Sequence, residues 1–157
     1  MRQSLSEMSS EPTLRTGRGH RFAAIMIWAA VFVSVIVAAA TVIDQTGAQS
    51  LYGFTDAAYA SHGATPDPGL VYGILYAVAF TVALIWALML VVVKARGWWP
   101  PVLSAAATLV TGAVAILLSA TTEYGERIFA PVCGLVMLVP TIFGIASTVQ
   151  LVRDARH

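Results

Sequence analysis

The chain has 157 residues, 58% of them hydrophobic and only 11% charged, with a mean hydropathy of +0.78. Folded in water, it would expose far more apolar surface than a domain of this size can bury, which excludes an ordinary soluble fold and points to lipid as the solvent. A net charge of +1 gives no basic footprint for nucleic acid, and the single cysteine, Cys133, excludes an intrachain disulfide and paired-thiol chemistry.

Residues 1–21 carry Ser, Glu, Pro, Gly and Arg without an apolar period, so the first segment reads as a disordered cytoplasmic tail. Four apolar runs follow at 22–43, 70–93, 102–121 and 128–152, none containing Asp, Glu, Lys, Arg or His. Each is long enough as a helix to cross a hydrocarbon core of about 30 Å, and a helix satisfies its own backbone there. The expected fold is therefore all-α and integral to the membrane, an antiparallel four-helix bundle over 22–152 with an outer loop at 44–69 and a short tail at 153–157. The first run ends in Ala38-Ala39-Ala40, a small-residue pattern that resembles a signal cleavage site, but the run exceeds the usual signal core of about 7 to 15 residues.

Orientation follows from the basic residues. Arg2, Arg15, Arg18 and Arg21 precede the first run, Lys94 and Arg96 separate the second and third, and Arg153 and Arg156 follow the fourth; only Arg127 lies on the other side. Cytoplasmic flanks retain Lys and Arg, so both termini are expected in the cytoplasm. The Ala- and Val-rich composition suits the inner membrane of a bacterium. Trp98 and Trp99 suit the inner aromatic belt, and Tyr52, Tyr59, Tyr72 and Tyr124 the outer one.

Within the outer loop, Leu51, Phe54 and Ala58 share a helical face, which predicts a short interfacial helix. Asp67 is placed to cap the second span, and Pro68 and Pro100-Pro101 sit at helix starts, where a missing N–H costs little. Acidic residues mark the outer end of every span: Asp44, Asp67, Glu123 and Glu126. With Asp56 and His62 they form a candidate outer-mouth cluster that would attract a cation or a basic partner. At helix N-termini Asp67 and Glu126 complement the macrodipole, whereas Asp44 and Glu123 at C-termini oppose it.

Small residues at four-residue spacing predict close helix packing: Gly73 and Ala77 in the second span, Ser104, Thr108 and Gly112 in the third, and Gly134 in the fourth. The third span is small on more than one face and is expected at the centre. Pro140 lies inside the fourth span and predicts a kink.

No residue pattern supplies chemistry. The three histidines, His20, His62 and His157, lie outside the spans, which excludes a bis-histidine haem held at membrane depth. The spans lack the ionisable residue that coupled transport places inside a bundle. No nucleophile elbow, phosphate loop or metal-ligand spacing is present, so no cofactor or metal is expected and an enzyme is disfavoured. The lipid bilayer is the first expected partner, with a homo-oligomer or other membrane proteins next. The function expected is that of a scaffold or accessory subunit of a membrane complex. The alternative is a small transporter or pore subunit, active as an oligomer with an acidic mouth.

Overall fold

The computed structural model describes residues 11–95 and 97–156. Five helices dominate: α1 (Glu11–Thr46), α2 (Ser50–Ala60), α3 (Pro68–Val92), α4 (Trp99–Ala120) and α5 (Pro131–Ala155). A two-stranded hairpin, β1 (Thr122–Glu123) with β2 (Glu126–Arg127), joins α4 to α5. Four of the helices, α1, α3, α4 and α5, are long and apolar enough to cross a membrane, which makes this a multi-pass membrane protein in contact with lipid.

The helix boundaries differ from the apolar runs for local reasons. α1 begins at Glu11, so residues 11–21 are helical where a disordered tail is expected; residues 1–10 lie outside the described residues. No proline interrupts the stretch after Pro12, and the helix runs on through Gly17 and Gly19, since a helix once nucleated extends cooperatively. α3, α4 and α5 each carry Pro in their first turn, and the Asp67 carboxylate caps α3 by accepting from Gly69 N at 2.7 Å. Glu126 does not begin a helix. It pairs with Glu123 across the hairpin, and α5 starts only at Pro131, so Glu126 has no helix dipole to complement. The hairpin turn places both Tyr124 (φ 55) and Gly125 (φ 85) in the left-handed region, the geometry that a tight two-residue turn requires.

α1 packs along α3 and α5, and α5 packs along α4, while α3 and α4 share a thinner contact. The small-residue content of α4 therefore does not put it at the centre. One α4 face meets α5, and the remainder carries exposed Leu109, Val110, Ile116 and Leu117. The start of α4 lies beside the end of α5, where Ser104 meets Ser147; the end of α4 lies beside the start of α5, where Ser119 meets Gly134. The buried apolar side chains form two clusters. One joins Ala23 and Ile27 to Trp86, Met89, Val93, Ala107 and Leu151; the other joins Tyr72 and Leu75 to Ala115, Leu118, Phe129 and Met137.

Glycines separate into contact and surface positions. A Cβ on Gly112 would lie 3.2 Å from Thr141 Cγ2, and one on Gly134 would lie 3.0 Å from Ala115 O, so both permit the α4–α5 approach. Gly73 and Ala77 are both exposed within this chain, and a Cβ on Gly73 would meet nothing within 4 Å. Their spacing puts them on one face of α3, but that face is not the one turned to α1. We expect Gly73→Ala to be neutral or to stabilise by about 0.5–1 kcal/mol, the cost of glycine inside a helix. Gly134→Ala should instead destabilise by about 1–3 kcal/mol through overpacking. Thermal unfolding in mild detergent distinguishes the two, and a loss at Gly73 equal to that at Gly134 would restore Gly73 to a packing role.

Candidate functional site

Among the described residues, the Asp44 carboxylate, in the last turn of α1, gathers donors from two other helices. After α1 the chain turns back through Gln49, whose φ of 50 is left-handed and whose amide donates to Asp44 O at 2.8 Å. This return aims the first amides of α2 at the side chain: Ser50 N and Leu51 N each donate to it at 3.0 Å. Ser50 Oγ donates as well, and Tyr72 OH of α3 donates to Oδ2 at 2.8 Å. One carboxylate thus ties α1, α2 and α3 together. Beside it, Tyr76 OH donates to Gln45 Oε1.

α2 is held at two further points. Thr55, fully buried, donates to Ile128 O at 2.8 Å, and Tyr59 OH donates to the Glu123 carboxylate of β1. That hydrogen bond, with burial and the Glu123 charge adding to it, raises the Tyr59 phenol above its ordinary 10.0. The packed face of α2 therefore runs through Leu51, Thr55 and Tyr59. Phe54, expected to share the apolar face, is 39% exposed. Thr55 takes the buried place because its hydroxyl reaches a backbone carbonyl that Phe54 could not satisfy.

The remaining members of the expected mouth cluster are dispersed. Asp67 caps α3, and Glu126 is exposed in β2. Asp56 lies beside Tyr52, whose phenol is raised by burial first and then by the Asp56 charge. His62 stacks on Tyr124 with centroids 4.3 Å apart and accepts or donates to Ser61 Oγ at 2.9 Å, both side chains being exposed. Among the described residues, no three of His, Cys, Asp and Glu gather in a way that could hold a metal ion. Asp44 and Glu123, one at each end of α2, act as separate hydrogen-bond anchors.

Between α4 and α5 a second polar layer runs through the spans. Ser104 Oγ lies 3.1 Å from Ser147 Oγ and 2.8 Å from Thr148 Oγ1, and Thr141 Oγ1 donates to Thr111 Oγ1 at 3.4 Å. Thr108, Thr111, Ser119, Ser147 and Thr148 also bond carbonyls of their own helices. In an apolar solvent such hydroxyls fasten helices to one another. Pro140 is buried within α5. Trp86 of α3 is fully buried against this layer: a Cβ on Gly144 would lie 2.7 Å from Trp86 Cζ2 and 2.6 Å from Thr108 Oγ1. Its indole Nε1 has no hydrogen-bond partner among the described residues.

Contacts at both ends of the molecule escaped sequence reasoning. At the basic end, a Cβ on Gly19 would collide with the Asp154 carboxylate, so the missing side chain admits Asp154 against α1. There Gln150 Nε2 donates to Asp154 Oδ1 at 3.2 Å, and His20 Nδ1 lies 3.4 Å from Oδ2. The Asp44–Tyr72 bond was equally hidden, because 28 residues separate its partners. No family model, curated protein or solved structure matches the chain.

Proposed function

We propose that this protein is a small scaffold or accessory subunit of a membrane complex in a bacterial inner membrane. In this reading its four spans form an antiparallel bundle with both termini in the cytoplasm. The distribution of Lys and Arg supports the orientation. The observation that carries the functional reading is the engagement of the polar groups. Asp44 accepts from Ser50, Leu51 and Tyr72, and the hydroxyls of α4 and α5 bond backbone or one another. What the fold leaves open is its apolar exterior, including Phe32, Phe80, Leu109 and Ile142, each more than 60% exposed.

A transporter would keep a polar path or an exchangeable ionisable group within the spans. Here the hydroxyls of α4 and α5 are committed to helix contacts, and two carboxylates at the loop end, Asp44 and Glu123, to anchoring α2. The Ser104, Thr108 and Gly112 stripe lies against α5 of the same chain, so association with other proteins draws on the exposed faces rather than on that stripe. Crosslinking in native cells, followed by purification in mild detergent, tests the reading. A foreign membrane protein recovered in fixed ratio is the expected result. Recovery of a defined self-oligomer that conducts cations in liposomes would replace this reading with the pore subunit.

A further inference from the structure

At the basic end, α4 and α5 leave a groove of about 290 Å³ between Pro101 and Val102 on one side and Val152 and Ala155 on the other, with Trp98 and Arg156 also lining it. Its walls are wholly apolar, and Arg156 borders it without a polar atom in the lining. It opens on the surface of two helices long and apolar enough to cross a membrane, at their ends, where acyl chains meet headgroups. Trp98 and Trp99 stack beside it with centroids 4.9 Å apart, and both are exposed, the placement tryptophan takes at a headgroup layer.

Among the described residues, basic side chains lie at this end of α4 and α5. Arg156 lines the groove, Arg153 is exposed one turn earlier on α5, and Lys94 is exposed just beyond the end of α3, next to Val93, which packs in the same cluster as Leu151. The nearest acid in sequence, Asp154, is turned away from this surface. Its carboxylate sits against Gly19 and bonds Gln150, with His20 alongside. An apolar slot bordered by an exposed arginine matches a molecule with a long alkyl chain and a phosphate at one end.

We propose that this groove binds an anionic phospholipid, one acyl chain lying between α4 and α5 and the phosphate pairing with Arg156. A zwitterionic lipid fits the slot equally well but gains less from Arg156. The expected preference for the anionic lipid is on the order of fivefold.

The test uses the full chain carrying Trp28→Phe, reconstituted in phosphatidylcholine vesicles with a minor fraction of phosphatidylglycerol. Bromine is placed on the acyl chains of one lipid or the other at equal mole fraction, and quenching of tryptophan emission is read. Trp86 is buried and contributes a constant background. Brominated phosphatidylglycerol should quench as though enriched about fivefold over its bulk fraction. Arg156→Gln should bring the two lipids to equal quenching, and Arg156→Lys should retain part of the preference. Arg153→Gln should leave most of it. Equal quenching in the parent protein overturns the proposal, and so does equal loss in Arg153→Gln and Arg156→Gln, which would mark diffuse surface charge. Variants are compared only where helicity and elution match the parent. If Arg156→Gln fails that comparison, Arg156→Lys decides, a preference below half of the parent's counting against the proposal.

Discussion

Trp86→Ala lowers the stability of the folded protein by about 3 kcal/mol, the largest loss expected from a single side chain here. Tryptophan truncation in a water-soluble core costs about 3–5 kcal/mol, but lipid tails are as apolar as this core, so the transfer part largely cancels and the cavity part remains. Trp86 is fully buried and bridges α1 residues Ala23 and Ile27 to α5, where its ring fills the space that Gly144 leaves empty. Gly144→Ala puts a carbon 2.7 Å from Cζ2 of that ring and should cost about 1–3 kcal/mol. The two changes should not add. With the ring gone the new methyl group has room on one side, though Thr108 Oγ1, 2.6 Å from the same position, still presses on it. A coupling of about 1 kcal/mol is expected in the double variant, read by denaturant titration in mixed micelles. Strict additivity would show that ring and glycine do not share a contact. Trp86→Phe should cost much less than Trp86→Ala, because it keeps most of the apolar bulk and removes an indole N–H that lacks a partner among the described residues.

The spans were legible because lipid imposes one strong rule: long uncharged runs must be helices. Position along the chain followed, as did the Asp67 cap, since an N-cap acts on residues next to itself. Contacts between elements were legible only in part. Four-residue spacing marks a face as small but does not say which face meets a neighbour. Thus Gly112 and Gly134 lie in the α4–α5 contact, while Gly73 and Ala77, equally periodic, are exposed. The same limit explains why α4, small on several sides, still has an exposed apolar flank. The hairpin after α4 was hidden because only two residues pair in each strand, and Tyr124-Gly125 is a weaker turn signal than Asn-Gly. The outer-mouth cluster rested on charge alone. Proximity to a helix end in sequence does not establish which atoms a carboxylate faces, and here Asp44, Asp67 and Glu123 face three different sets of donors.

Asp44→Ala should loosen α2 from the rest of the protein and lower overall stability by on the order of 2 kcal/mol. Asp44 is unfavourable for the helix that carries it, since it lies at the negative end of the α1 dipole. Its benefit falls on the next helix: the Ser50 and Leu51 amides of α2 are otherwise orphaned, and α2 has no side-chain cap of its own. Each hydrogen bond to a charged acceptor contributes about 1.5–3 kcal/mol in isolation, but the amides are partly exposed and water replaces the carboxylate when it is removed, so the total stays near one bond's worth. Tyr72→Phe removes only the α3 arm and should cost about 1 kcal/mol. Amide hydrogen exchange provides the local readout. Ser50 and Leu51 should exchange at least about tenfold faster in Asp44→Ala, with little change at Thr111 or Ser147, whose hydroxyls lie in the separate α4–α5 layer. Unchanged exchange at Ser50 and Leu51 would mean that the carboxylate does not cap α2, and Asp44 would again be a candidate for the cation-gathering role that its charge alone suggested.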